Sequence, residues 1–254
     1  MKNTIVLMCL LFWGCSAVPK PLSFVHSESL ALQDARRNRT IPIELYFPPG
    51  FGARSWAPLI LISSGYNGSN TEYTFLARAL AEDGFLVAGV QHEQPQDAPI
   101  ATSGDIFVVR MPVWERGVEN LQFVGAYLRS RFPQTPKTAP ILIGHSNGGD
   151  ISLLYARNFP EEVAAVVTLD HRRMPIPRKS HPPVLTFRAG EFEADPGVLP
   201  DSAEAALWGI NIVRLENSLH NDLRDAGSEG IKQRILVDVK QFIAKTHPNK
   251  PNGH

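Results

Sequence analysis

What this sequence lacks narrows it before any motif is read. Its only cysteines, Cys9 and Cys15, stand near the N-terminus, so residues 16–254 carry no thiol for a disulfide, a Cys-rich zinc site or a cysteine nucleophile. Stability of that stretch must come from packing alone. Charge of one sign is not in excess, because Lys plus Arg and Asp plus Glu each count 25. No global field therefore draws the chain toward nucleic acid or an anionic membrane, and any anion preference is local. No apolar run reaches the ~18 residues of a transmembrane helix. His-Glu-x-x-His spacing, a complete Walker loop and Gly-x-Gly-x-x-Gly after an early strand are absent too, so neither a metal nor any other cofactor is expected. Internal repeats and heptads are missing as well. At 254 residues, 43% hydrophobic and 20% charged, the chain is long enough for one buried core, and a single domain is expected over 22–246.

The first residues read as an export signal: Lys2, an apolar run from Ile5 to Trp13, then small residues Gly14 to Ala17. Two processing sites compete. Cleavage after Ala17 would remove 1–17, whereas cleavage before Cys15 would remove 1–14 and leave the thiol free to carry lipid. Phe12-Trp13-Gly14-Cys15 resembles a bacterial lipobox, with Phe12 and Trp13 where leucine and a small residue are usual. Either route implies a bacterial protein outside the cytoplasm: periplasmic, secreted, or a lipoprotein touching the membrane only through Cys15. Residues 247–254 are expected to fray.

After Pro19 to Pro21, residues 22–33 and 40–47 read as strands around the polar turn Asp34 to Arg39. Short apolar runs then alternate with helical patterns: strand 58–63, helix 70–83, strand 85–90, helix 113–131, strand 139–145, helix 147–159, strand 163–169. Strand 184–188, a helix near 202–208, strand 211–215 and an amphipathic helix near 229–245 follow. Such alternation implies an α/β fold with a mostly parallel sheet and helices on both faces. The long connection 91–112 leaves the sheet edge where ligands bind in such folds.

The run Ala139 to Ile143 leads into Gly144-His145-Ser146-Asn147-Gly148-Gly149, followed by the helical pattern from Asp150. A Gly-x-Ser-x-Gly between strand and helix is the context of a nucleophile elbow, where glycines let the chain reverse and Ser146 projects its hydroxyl. The backbone N–H of Asn147 is the first expected oxyanion donor. The second is expected from Ser63-Ser64-Gly65-Tyr66-Asn67-Gly68, with the N–H of Tyr66 preferred. With Ser64-Gly65-Tyr66, Asp83-Gly84-Phe85-Leu86-Val87, Gly144 to Gly149 and a late His220, the chain from about 22 to 245 resembles the α/β-hydrolase superfamily. It looks most like small esterases related to dienelactone hydrolase and to bacterial cutinase-like enzymes. Serine stands where dienelactone hydrolases carry cysteine, so lactone hydrolysis is not implied.

The resemblance implies the order serine, acid, histidine, with the base on a loop after the final strand. His220 fits that place, whereas His171 and His181 lie in an earlier connection. The acid should follow strand 184–188, where Glu191, Glu193 and Asp195 stand together. Asp195 is preferred, because its Asp-Pro-x-Val run resembles the family's acid loop. Glu193 is second, and Asp170, ending the previous strand, is third.

Only residues 170–183 separate strands 163–169 and 184–188, too few for a lid, and their four prolines leave little room for a helix. An open cleft suits small or exposed esters as substrates. Gln91-His92-Glu93-Gln94 is a candidate lining for the acyl or alcohol pocket, and Arg172, Arg173, Arg178 and Lys179 are candidates for an acidic substrate group. Trp114 and Trp208 read as pocket aromatics or, more commonly, helix-core residues. A peptidase or amidase would use the same triad, and a non-catalytic binding protein could use the same scaffold. Nothing in the sequence sets an oligomeric state.

Overall fold

The computed structural model describes residues 23–52, 57–133 and 135–246, so the expected export signal and frayed tail lie outside the described residues. Two antiparallel strands open the fold, β1 (His26–Asp34) and β2 (Arg39–Phe47). Asn38 turns the chain between them at φ 47°, a conformation asparagine tolerates.

Six further strands follow: β3 (Leu59–Ser63), β4 (Leu86–Val90), β5 (Ile141–His145), β6 (Ala165–Leu169), β7 (Val184–Ala189) and β8 (Asn211–Leu215). They form one eight-stranded sheet in the order β1-β2-β4-β3-β5-β6-β7-β8, parallel from β4 to β8. Both faces are covered, which is why the inner strands read as unbroken apolar runs. Along β5, Ile141 and Ile143 pack with Leu76 and Leu80 of α1 (Thr74–Glu82) and with Ile235 and Val239 of α5 (Glu229–Thr246). Leu142 points the other way, into a cluster with Trp114 and Leu121 of α2 (Ile106–Arg131) and Ile151 of α3 (Asn147–Asn158). The short α4 (Ser202–Trp208) packs Trp208 against that second cluster.

Two expected boundaries move. Helix α1 begins at Thr74 rather than near residue 70, because its cap comes from far along the chain: the Asp225 carboxylate accepts the N–H groups of Thr74 at 2.9 Å and Phe75 at 3.0 Å. Helix α2 begins at Ile106, seven residues before the expected start, and runs through Pro112. The missing N–H at 112 leaves only the carbonyl of Val108 without its helical donor, and Val108 is 62% exposed, so water can serve it. The long connection therefore shrinks to 91–105. The segment 170–183 carries no helix, and among the described residues no large lid covers the sheet edge. Among the described residues no helix is long and apolar enough to cross a membrane.

Candidate active site

Ser146 sits at the junction of β5 and α3 with φ 51° and ψ −121°. The bend is forced by contacts on both sides. A Cβ on Gly144 would lie 2.2 Å from the Gly148 carbonyl oxygen, and one on Gly148 would lie 2.4 Å from that of Ser63. Neither position can hold a side chain, as the motif predicts. A non-glycine residue at such a φ costs on the order of 1–3 kcal/mol, which the surrounding packing offsets. The Ser146 N–H donates to the Leu169 carbonyl at 2.9 Å, and its hydroxyl does not cap α3. Half-buried, Ser146 lines a cavity of about 170 Å³ together with His220, Gly65, Tyr66, Tyr73 and Arg224.

Asn147 opens α3, so its N–H is one of those a helix leaves unpaired. Its buried side chain is held from two sides: Trp114 Nε1–H donates to Oδ1 at 2.9 Å, and Nδ2 donates to Glu93 Oε1 at 3.1 Å. Trp114 is thus a core residue that grips the elbow. Burial pushes the Glu93 carboxyl up to about 7, and its second oxygen, Oε2, is buried without a partner. Tyr66 stands in the facing loop, its hydroxyl accepting the Ile100 N–H at 3.1 Å. A Cβ on the preceding Gly65 would be 3.4 Å from Ser146 Cβ, which shows how closely that loop approaches the serine.

His220 begins the turn after β8, its N–H donating to Glu191 Oε2 at 2.7 Å. Nδ1 lies 2.6 Å from Asp170 Oδ2. Asp170, at the end of β6 with φ 53°, has no exposed surface. Its Oδ1 accepts the Ala189 N–H at 3.1 Å and lies 2.9 Å from Arg188 Nη2. Burial alone would raise this carboxyl, but the His220 hydrogen bond and the Arg188 charge outweigh it and hold it below the usual range. Arg188, 2% exposed, also donates through Nη1 to the His171 carbonyl.

The preference for Asp195 is corrected here. Its carboxylate pairs with Arg173, and its N–H donates to the Arg172 carbonyl at 3.0 Å, which ties Asp195 to the connection after β6. Glu193 is 86% exposed in its side chain, with Arg214 4.0 Å away. The carboxylate against His220 is Asp170, the third of the three candidates. The signal for it was Arg188: a cation inside the apolar run Val184 to Ala189 must find a buried anion, and β6 is the neighbouring strand. Tyr73 carried no comparable signal in the sequence.

Other expectations also shift. None of Gln91, His92, Glu93 and Gln94 lines the cavity that holds Ser146. His92 and Glu93 are buried beneath the sheet edge, and the His92 carbonyl accepts from Arg39, which Asp97 pairs at 2.6 Å. Arg173 is neutralised by Asp195, and Arg178 donates to the carbonyls of Ile176 at 2.7 Å and Leu199 at 2.9 Å, so both serve the fold. Arg172 stacks over Phe192 at 4.5 Å, and that ring meets the His220 ring edge-on at 6.3 Å.

A parallel sheet with an antiparallel start, a strained serine between β5 and α3, and a histidine after the last strand define a class. Residues 57–194 match the family model of the alpha/beta hydrolase fold, and the chain belongs to that family. Among solved structures it is similar to a dienelactone hydrolase-like promiscuous phosphotriesterase from metagenomic libraries, at 16% identity and TM-score 0.64 over 88% of this chain and 99% of that one. A butyrate-bound thermophilic esterase from the planctomycete Thermogutta terrifontis shares 11% identity at TM-score 0.65, over 89% and 96%. A ferulic acid esterase from Streptomyces cinnamoneus shares 18% at TM-score 0.59, over 93% of each chain. Likeness at these identities carries the fold. No curated protein matches the chain by sequence.

Proposed function

We propose that the protein is a serine hydrolase that cleaves short carboxylic esters through an acyl-enzyme. The observation that carries this reading is one cavity lined by both Ser146 and His220, with the imidazole Nδ1 held 2.6 Å from the buried Asp170. Among the described residues Nε2 of His220 has no hydrogen-bond partner, so the ring has a free position to take a proton.

In the proposed cycle Ser146 Oγ attacks the ester carbonyl carbon while its proton passes to His220 Nε2. Asp170 fixes the Nδ1–H tautomer and stabilises the imidazolium, and Arg188 keeps the carboxylate ionised. The N–H groups of Asn147 and Tyr66 receive the oxyanion. Collapse breaks the bond to the alkoxy oxygen, which leaves with the proton from Nε2. Water then attacks the acyl-enzyme, giving its proton to Nε2, and the second collapse returns that proton to Ser146 and frees the acid. No cofactor enters these steps.

The cavity supports a small substrate. At about 170 Å³ it is well below the ~300–1,000 Å³ of sites that enclose drug-sized ligands, and the Glu72–Arg224 ion pair at 2.9 Å lines one wall. A long alkyl chain there would strip water from two charges, which favours short acyl groups and exposed esters. Labelling with a fluorophosphonate and a p-nitrophenyl acetate, butyrate and octanoate series tests the proposal. Labelling should vanish in Ser146→Ala and kcat/KM should fall with chain length. A labelled Ser146→Ala protein would reject the nucleophile, and fastest turnover of octanoate would reject the substrate size. The export reading predicts a mature N-terminus at Val18 or a lipidated Cys15, which intact-mass measurement distinguishes.

A further inference from the structure

We infer that Tyr73 and His145 are positioning residues of this site, forming one proton-ordered string that ties the N–H of Gly65 to the carbonyl of His220. The inference rests on the serine-hydrolase reading above and assigns work to two side chains that the proposed cycle leaves unused.

The order of protons follows from the partners. His145 Nε2 lies 3.0 Å from the backbone oxygen of His220. A carbonyl only accepts, so Nε2 carries the hydrogen. In a neutral imidazole Nδ1 is then bare and must accept, and the Tyr73 hydroxyl donates to it at 3.0 Å. The phenolic oxygen keeps lone pairs, one of which takes the Gly65 N–H at 3.3 Å. Both side chains are 3% exposed, so water does not compete for these bonds. Burial, the largest influence, and the neighbouring His220 ring bring the imidazole of His145 down to about 3, so the ring stays neutral and the direction of the string is fixed.

The string matters because of what it joins. Gly65 precedes Tyr66 in the loop after β3, and His220 follows β8, yet β5, β6 and β7 lie between those strands in the sheet. Strand pairing within the sheet therefore does not hold the proposed oxyanion donor and the proposed base in register with each other. His145, the residue before the serine, bridges the gap in one step. The same two segments are docked a second time, where the Asp225 N–H donates to the Glu72 carbonyl at 2.9 Å. That contact anchors the turn, while the Tyr73–His145 string reaches the residue that carries the imidazole. Small misplacement of reacting groups costs rate much more than binding.

Tyr73→Phe removes only a hydroxyl, and His145→Leu removes both ring nitrogens. Each should lower kcat for p-nitrophenyl acetate by about 10–100-fold with KM changed less than about twofold. The Tyr73→Phe/His145→Leu double variant should fall no further than the weaker single variant, because one broken link already disables the string. His145→Gln, which keeps one donor and one acceptor, should recover most of the loss. Multiplying losses in the double variant, or no recovery with glutamine, would reduce the pair to general packing and overturn the inference. Should His145→Leu fail to fold, Tyr73→Phe decides alone: full kcat overturns the string. Wild-type labelling by a fluorophosphonate separates the two levels of the reading. Labelled wild type with an unimpaired Tyr73→Phe sinks the string only, whereas an unlabelled wild type sinks the serine-hydrolase reading and the string with it.

Discussion

Glu93→Gln should stabilise this protein above neutral pH and do nothing of the kind in mild acid. Burial lifts the Glu93 carboxyl from 4.5 to about 7. Each pH unit between the folded and unfolded values corresponds to about 1.4 kcal/mol, so the ionised form is less favourable in the folded chain by about 3 kcal/mol. The folded state holds this proton more tightly, so the contribution of Glu93 to stability is highest below about 4.5, declines as pH rises to about 7, and stays low above it. Glutamine removes the ionisation while keeping the oxygen that accepts from Asn147 Nδ2. Its amide would occupy the place of Oε2, which is buried without a partner, and a stranded donor there costs about 1–2 kcal/mol. The net expectation is a gain of about 1–2 kcal/mol near pH 8, shrinking to zero or a small loss near pH 5. Urea unfolding of both proteins at four pH values from about 5 to 8.5, with equal m-values, measures the difference directly, and every other titrating group cancels. A difference that does not change with pH would refute the reasoning, because it would mean that Glu93 ionises freely where it stands.

Asp170→Asn should lower kcat by about 10³–10⁴-fold by losing the tautomer control that a buried carboxylate gives a catalytic imidazole, whereas Asp195→Asn should stay within about twofold. Steady-state kinetics that reverse this ranking would return the role to the β7 loop. His92, His145 and His171 are each brought down to about 3, chiefly by burial, while unfolded histidines protonate below about 6.5. Glu93 and Asp150, raised to about 7 and about 6, oppose them, leaving a net uptake of about one proton on unfolding near pH 5.5. Stability should therefore fall by about 1.4 kcal/mol per unit as pH drops there, and a flat or rising profile in chemical denaturation would contradict it. Gly148→Ala would drive a methyl to 2.4 Å from the Ser63 carbonyl, a backbone atom with nowhere to go. A loss of at least about 2 kcal/mol in urea unfolding is expected, together with loss of fluorophosphonate labelling; a stable, labelled variant would show that the elbow is less tight than described.

Local chemistry made much of the molecule legible in the sequence. The alternation of apolar runs with helical patterns marked all eight strands to within a few residues, because a sheet covered on both faces demands continuous hydrophobic strands. Gly144 and Gly148 could be read as obligatory because the bend that exposes Ser146 leaves no space for a Cβ at either position. His220 could be singled out because the family resemblance implies a base on the loop after the last strand. In the first two cases the determining interaction spans a few residues, or is a property of one element.

Only the tertiary structure decided the rest, and the common reason is partnership across the fold. Which carboxylate faces His220 depends on Arg188 on β7 meeting Asp170 on β6 and on Arg173 claiming Asp195, two pairings that no spacing within Gly190 to Val198 encodes. The start of α1 was set by Asp225, about 150 residues away, and Glu93 turned from a candidate pocket lining into the buried holder of Asn147. Sequence fixes which residues are able to pair; the folded chain fixes which of them are close enough to do so, because burial makes each unpaired charge or donor cost more than the local preference it overrides.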